Sequence, residues 1–285
     1  MDILVNDMAG DANMENTKRL KIGAFQFAAC ESIESNLTAI KRGIERAADG
    51  NVRLLLTQEC AVCGYPPIEV PSVNAIDKTC QYEAYQEISK LAKKYKMYIA
   101  LGMVTFDESN TYNSIWLIHP DGQDLKPYHK RALWGWDKEN FQPGNETGIY
   151  NIDGISVGVR ICFEIRFPEY FRELFIEQVD LTLVSFADVG QVEQKVRINT
   201  IQSHLVSRAT ENVMYVLSAN STSQQQWAPT CVIDPDGNVM DVAPLNEEYL
   251  LTTEIEITEP GFGRKGRIEY SRALTASHRG VPSDE

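Results

Sequence analysis

The sequence has no surplus of positive charge. It carries 27 Lys and Arg against 40 Asp and Glu, for a formal net charge of −13. Nucleic acid and anionic membrane surfaces are held by clustered Lys and Arg, so neither is expected as the main partner. A small anionic substrate stays open, since it needs only a local positive site. Long apolar runs are missing too; none approaches the roughly 20 residues that a membrane helix requires. The first 18 residues, MDILVNDMAGDANMENTK, have no basic start followed by an apolar stretch. They are expected to form a polar extension and not a secretory signal. Six cysteines, at 30, 60, 63, 80, 162 and 231, are too few and too scattered for a disulfide framework in a chain of 285 residues. A reducing, cytoplasmic setting is the expectation.

The composition, 43% hydrophobic and 24% charged, is that of a globular chain long enough for one large α/β domain or two small ones. No linker with a composition shift divides it. The expected organisation is one domain over 20–258, preceded by the extension 1–19 and followed by a basic, polar tail over 259–285. KIGAFQFAA (21–29) and VRLLLT (52–57) read as strands on either side of the amphipathic helix 35–50, with Gly50 as its C-cap. A second helix covers 79–95, with Tyr82, Tyr85, Ile88, Leu91 and Ala92 facing inward. Strands follow at 97–106, 111–120, 148–152, 155–161 and 180–187, then a long helix over 192–210. MYVLSAN, APTCVID and YLLTTEIEI are three further strands, with PDGN (235–238) as a hairpin turn. Each half runs strand, helix, strand, then antiparallel pairs, which favours a layered α/β fold with helices covering one face of each sheet.

VGVRICFEIRFPE (157–169) is the most informative stretch. Its β-branched run ends at Cys162, and Pro168 opens an apolar-periodic helix. A cysteine at such a turn presents its sulfur outward beside free backbone N–H groups, which suits a nucleophile that needs its oxyanion stabilised. The alternative is a buried free cysteine acting as a small hydrophobe. The charges of Glu164 and Arg166 directly behind it weigh against that. Two further positions sit where buried strands give way to loops. Glu59 closes VRLLLTQ, and Lys130 lies in the irregular, aromatic KPYHKRALWGWDKENFQPG (126–144). Singly, each reads best as a solvated charge. Together they form a set, in which a desolvated carboxylate takes the thiol proton and an ammonium stabilises thiolate and oxyanion.

These three segments resemble the signatures of the carbon–nitrogen hydrolase (nitrilase) superfamily. LLLTQEC places Glu59 at the family's general base, YHKRALWGWDKENFQPG places Lys130 at its catalytic lysine, and RICFEIRFPE places Cys162 at its nucleophile. SRATENVMYVLSAN and CVIDPDGNV extend the likeness, which runs from about Lys21 to Ile257. The resemblance implies a four-layer αββα sandwich, subunits paired across their helical layers into a homodimer or larger assembly, and no metal or organic cofactor. It implies an amidase acting through a cysteine thioester, with the Phe163 N–H sharing the oxyanion with Lys130. An N-carbamoyl hydrolase is the alternative within the class. A nitrilase fits less well, because Phe163-Glu164 stands where Trp-Glu is usual. A catalytically silent scaffold has no use for the intact trio. Trp134 and Phe186 are expected on the substrate side with Arg166, which either pairs with Glu164 or Glu169 or grips a substrate carboxylate. An arginine at the matching position does the latter in carbamoyl-amino-acid hydrolases of the superfamily.

The sequence departs from the family pattern at three places. The second acid, seven residues after the lysine, is Asp137 instead of glutamate, with Glu139 as the nearby substitute. APTC (228–231) replaces the usual Gly-x-Ser, and Val196-Arg197-Ile198 stands where a tryptophan is common. Two weaker signals fall away. Cys60-Ala-Val-Cys63 is followed by Gly-Tyr-Pro-Pro, which forbids the helix of a redox site, and no second ligand pair has zinc spacing. The GxGxxG at 261–266 leaves no room for a βαβ unit. His129 and His204 are expected to pack.

Overall fold

The computed structural model describes residues 17–278 except Asp124. Residues 1–16 of the expected extension and 279–285 of the expected tail therefore lie outside the described residues. In chain order the elements are β1 (Lys18–Gln26), α1 (Ile33–Asp49), β2 (Leu54–Thr57), α2 (Lys78–Tyr95), β3 (Tyr98–Phe106), β4 (Thr111–Ile118), β5 (Tyr128–His129), a short α3 (Asp137–Asn140), β6 (Ile149–Ile152) and β7 (Ile155–Ile161). A 3₁₀ turn (Cys162–Arg166) leads into α4 (Pro168–Ile176), β8 (Leu181–Phe186), β9 (Val189–Gly190), α5 (Lys195–Asn212), β10 (Tyr215–Asn220), β11 (Gln225–Gln226), β12 (Cys231–Ile233), β13 (Val239–Val242), β14 (Tyr249–Ile257) and α6 (Phe262–His278).

One six-stranded sheet has the order β14-β1-β2-β3-β4-β5 and the other β13-β12-β10-β8-β7-β6; β9 and β11 pair apart. Within each sheet the three central strands are parallel: β1, β2 and β3 in the first, β7, β8 and β10 in the second. A parallel connection needs a crossover, and the helices α1, α2, α4 and α5 supply them. Strand periodicity then sorts the side chains. Leu54 and Leu56 of β2, Ile115 and Leu117 of β4, and Val157 and Val159 of β7 point between the sheets. Leu55, Ile99 and Leu101 point the other way, onto Ile40 and Ile44 of α1 and Ile88 and Ala92 of α2. Val184 and Val216 of the second sheet likewise meet Phe171 and Leu174 of α4 and Leu205 of α5. The layers are helix, sheet, sheet, helix, as expected.

Local chemistry explains the boundaries. Asp77 caps α2 by accepting from the N–H groups of Thr79 and Cys80, and Gly50 closes α1. Pro168 occupies the first turn of α4, where its missing N–H costs nothing. Two expectations are corrected. Tyr82 is 63% exposed on α2, because the buried stripe follows Gln81, Ala84, Tyr85 and Ile88. The segment from Pro260 onward is not only a tail, since Phe262–His278 forms α6, packed beside α5 and held by Arg264 and Arg267 on Asp236. Among the described residues, no helix is long and apolar enough to cross a membrane.

Candidate active site

The C-terminal ends of the parallel strands from both sheets converge on one side, the usual ligand position in parallel α/β sheets. Glu59 lies two residues past β2. Its N–H donates to the Phe186 carbonyl at the end of β8 (3.2 Å), and its Oε2 accepts from the Ala187 N–H (2.8 Å). The base-side loop is thus stitched to the opposite sheet. Gly102 on β3 makes room for it. A Cβ there would stand 1.9 Å from the Gln58 carbonyl oxygen, so any side chain would displace the backbone that aims Glu59.

Lys130 follows β5, whose pairing with β4 sets its direction. Tyr128 faces the inter-sheet core and His129 the opposite side, so Lys130 turns inward again. His129 bonds Ser114 Oγ through Nδ1 (2.7 Å) and stacks on Tyr112, on the face away from Cys162. It packs, as expected. The Lys130 ammonium donates to Glu59 Oε1 (2.7 Å) and to Asp137 Oδ2 (2.8 Å). All three groups are buried, at 1%, 2% and 0% exposure. Asp137 also accepts from the Tyr65 hydroxyl (2.5 Å) and the Trp134 N–H (3.0 Å). Asp137, and not Glu139, is therefore the acid beside Lys130. Glu139 is exposed on α3, pointing away from the cluster.

Cys162 opens the 3₁₀ turn with φ +46°, a left-handed value that costs a non-glycine residue about 1–2 kcal/mol. Glu164 holds this bend in place. Its Oε2 accepts from the Ile161 N–H (2.7 Å), while Oε1 accepts from the Tyr128 hydroxyl and the Arg131 N–H (2.7 Å each). One carboxylate thus ties the cysteine turn to the lysine loop. Phe163 is the second residue of the turn, so its N–H is among those that a helix start leaves without an intrahelical partner.

Burial pushes the Glu59 carboxyl above the usual carboxylate range; Lys130 pulls it back, and Asp137 adds to the rise. Burial works against the Lys130 ammonium, but Glu59 and then Asp137 outweigh it and hold the pKa well above that of free lysine. Burial and then the Glu59 charge raise the Cys162 thiol well above its ordinary value, with Lys130 opposing. The resting cluster is a neutral thiol beside an ammonium shared by two carboxylates. A thiol held this way becomes a nucleophile only as a neighbouring carboxylate takes its proton.

Cys162 and Lys130 open onto a cavity of about 820 Å3. The expected Phe163, Arg166, Trp134 and Phe186 all line it. Arg166 is half-buried and, among the described residues, has no ion-pair partner; the Glu164 carboxylate is fully engaged elsewhere. Sequence reasoning missed Tyr65, Trp136, Asp188, Arg197 and Trp227, which also line the cavity. Arg197 pairs with Asp188 (2.5 Å) and lies over the Trp227 ring at 4.7 Å. Its side chain thus forms part of the cavity wall at the Val196-Arg197-Ile198 stretch. Asn113, which donates to Glu59 Oε1 (2.6 Å), was missed as well. Its signal was a polar residue in phase with Ile115 and Leu117 on the core face of β4.

The family model for carbon–nitrogen hydrolases matches residues 21–260. The chain is 29% identical over 180 residues to the 2-oxoglutaramate amidase of Bacillus subtilis, covering 60% of this chain and 67% of that protein. It is 27% identical over 265 residues to the N-carbamoylputrescine amidase of Arabidopsis thaliana, covering 84% and 87%. The fold is that of the amidase from Nesterenkonia sp. AN1, solved as a cysteine-to-alanine mutant in complex with butyramide. The TM-score is 0.75 at 21% identity, covering 92% of this chain and 97% of that one.

Proposed function

The chain belongs to the carbon–nitrogen hydrolase family, and we propose that within it the protein is an amidase that cleaves a small primary amide to acid and ammonia. The observation that carries this reading is the Lys130 ammonium held between Glu59 and Asp137 at the edge of a cavity onto which Cys162 also opens. In this mechanism Glu59 takes the Cys162 proton as the sulfur attacks the amide carbon. Lys130 and the Phe163 N–H hold the oxyanion. Glu59 then gives its proton to the departing ammonia, leaving a thioester, and activates the water that releases the acid. No step draws on a metal or an organic cofactor.

Arg166 supports a substrate with a carboxylate at its far end. A cavity-lining guanidinium with no ion-pair partner among the described residues suits a bidentate carboxylate. The name of the Bacillus relative, an amidase of an acidic amide, agrees with this. N-carbamoyl hydrolysis is the second reading, favoured by the Arabidopsis relative. The reading also includes a cytoplasmic enzyme, supported by six free cysteines, and a homodimer or larger assembly. Phe262 and Tyr270, exposed on α6 at 98% and 73%, support the assembly.

The test is a panel of dicarboxylic acid monoamides, neutral amides and N-carbamoyl amino acids, with ammonia and carbon dioxide measured together. Ammonia and acid in equal amounts, without carbon dioxide, is the expected result. Carbon dioxide released alongside ammonia would select the second reading, and release of neither would overturn both.

A further inference from the structure

Glu59 is more tightly specified than a general base needs to be, and the source is a residue outside the trio. A carboxylate offers about four lone-pair positions, two on each oxygen. Oε1 uses both of its own, accepting from Lys130 Nζ at 2.7 Å and from Asn113 Nδ2 at 2.6 Å. Among the described residues, Oε2 accepts only the Ala187 N–H, at 2.8 Å. One lone pair is left on the whole group, and it is on Oε2.

Asn113 itself is held so that its amide cannot turn round. It is fully buried on β4, and its backbone carbonyl accepts from the Lys130 N–H at 2.8 Å. Its side-chain Oδ1 accepts from the Cys60 thiol at 3.7 Å, which leaves Nδ2 to face Glu59. Cys60 is fully buried and takes φ +51° directly after Glu59, a left-handed value that brings its sulfur back toward β4. If the amide were flipped, an oxygen would face the Glu59 carboxylate and an NH2 group the thiol, losing one hydrogen bond and adding a repulsion.

We propose that Asn113, oriented by Cys60, is a positioning residue that reserves Glu59 Oε2 as the single oxygen exchanging the proton with Cys162 and with the leaving ammonia. This rests on Glu59 being the base, as proposed above. Asn113 blocks protonation of Oε1 and holds the carboxylate ionised in a buried setting. It also gives a role to the first cysteine of the CxxC pair, which chemistry at the loop itself did not explain. The titratable groups around Glu59 are Lys130, Asp137, Cys162, Tyr65, Glu69 and Cys60, from six different positions. Of these, only Lys130 shares Oε1 with Asn113.

The experiment measures kcat/KM for the best amide, and separately the rate of Cys162 alkylation by iodoacetamide, both across pH. Asn113→Ala removes a donor to the ionised form, so the Glu59 pKa rises. The acid limbs of both profiles should move to higher pH by about one unit, with kcat lowered about tenfold or more and KM little changed. Cys60→Ala should move the limbs the same way by freeing the amide, and Cys60→Ser, which keeps a donor, should restore most of the loss. Acid limbs that stay in place in both Asn113→Ala and Cys60→Ala, with activity lost only in proportion to lowered thermal stability, would overturn the proposal. Should the wild type hydrolyse no amide, the proposed function fails, while the alkylation profile still decides the role of Asn113.

Discussion

At the scale of single residues, the site is a buried charge cluster in which each member is costly alone. Lys130 is buried with two carboxylates, and removing the lysine would leave two buried acids with no countercharge between them. Cys162 is different, because it is neutral at rest and its thiol occupies a small volume. Cys162→Ala should therefore abolish turnover while leaving the melting temperature near that of the wild type. More than a trace of activity in the purified variant would rule out the covalent route. Glu59→Gln keeps the size of the group and a hydrogen-bonding oxygen but cannot accept the proton, so kcat should fall by at least ~10²-fold. A near-normal rate would move the base to another group. Since burial raises Glu59, the acid limb of the wild-type rate profile should lie above the usual carboxylate range, with activity lost as pH falls through it. Arg166→Lys keeps the charge but loses the planar fork. It should raise KM for carboxylate-bearing amides and spare neutral ones; equal losses on both would make Arg166 part of the scaffold.

At the scale of elements, strand phase does most of the placement. On β4 the core face carries Asn113, Ile115 and Leu117, and on β5 and beyond it carries Tyr128 and Lys130. A one-residue slip of that pairing would send Lys130 out and His129 in. The last helix shows a different control. α6 is anchored through Asp236, which pairs with Arg264 (2.6 Å) and Arg267 (2.7 Å). Those hydrogen bonds lower the Asp236 pKa from about 3.8 to about 2. A lowered carboxyl adds stability above its unfolded pKa and loses it as pH falls through the folded one. The anchoring of α6 should be intact above about pH 4 and lost toward pH 2. Hydrogen exchange should find α6 amides less protected in Asp236→Asn at neutral pH. Unchanged protection would mean that packing on α5 alone holds the helix.

At the scale of the whole molecule, the inter-sheet core determines whether the site exists at all. Glu59 comes from one sheet, Cys162 from the other, and Lys130 from the edge of the first. Only face-to-face packing of the two sheets brings them together. Leu183 on β8 is fully buried in that packing. Leu183→Ala should lower stability by about 2–5 kcal/mol. At temperatures where the variant stays folded, its kcat should be close to that of the wild type, since no site residue is touched. A large loss of kcat without a loss of stability, measured by denaturant unfolding, would show that the sheets' relative position is tuned more finely than the core requires.

Much of this was written in local pattern. The longer strands, the helices α1, α2 and α5, the turn at Cys162 and the Pro168 helix start follow from hydrophobic period and capping chemistry, which act over a few residues. The short strands β5, β9, β11 and β13 and the helix α6 were not read from the sequence. Glu59, Lys130 and Cys162 were legible as a set through the resemblance of their three segments to the family signatures, since singly each reads best as a solvated charge or a small hydrophobe. The structure places Lys130 Nζ 2.7 Å from Glu59 Oε1. Tyr82 was misplaced because a helix stripe read from sequence has an uncertain edge, and burial of Gln81 shifted it. Asp137 could not be separated from Glu139, since both lie in one short helix and only its orientation against Lys130 chooses. Asn113, Tyr65, Asp188 and Arg197 were out of reach for the same reason. Asn113 and Glu59 are 54 residues apart and Tyr65 and Asp137 72, while Asp188 and Arg197, nine apart, meet only because the chain turns between β8 and α5. The sequence by itself determined which segments become strands and which residues can react. The packing of two sheets decided which of those residues meet, because hydrogen bonds and charge pairing across elements depend on distances that no local pattern carries.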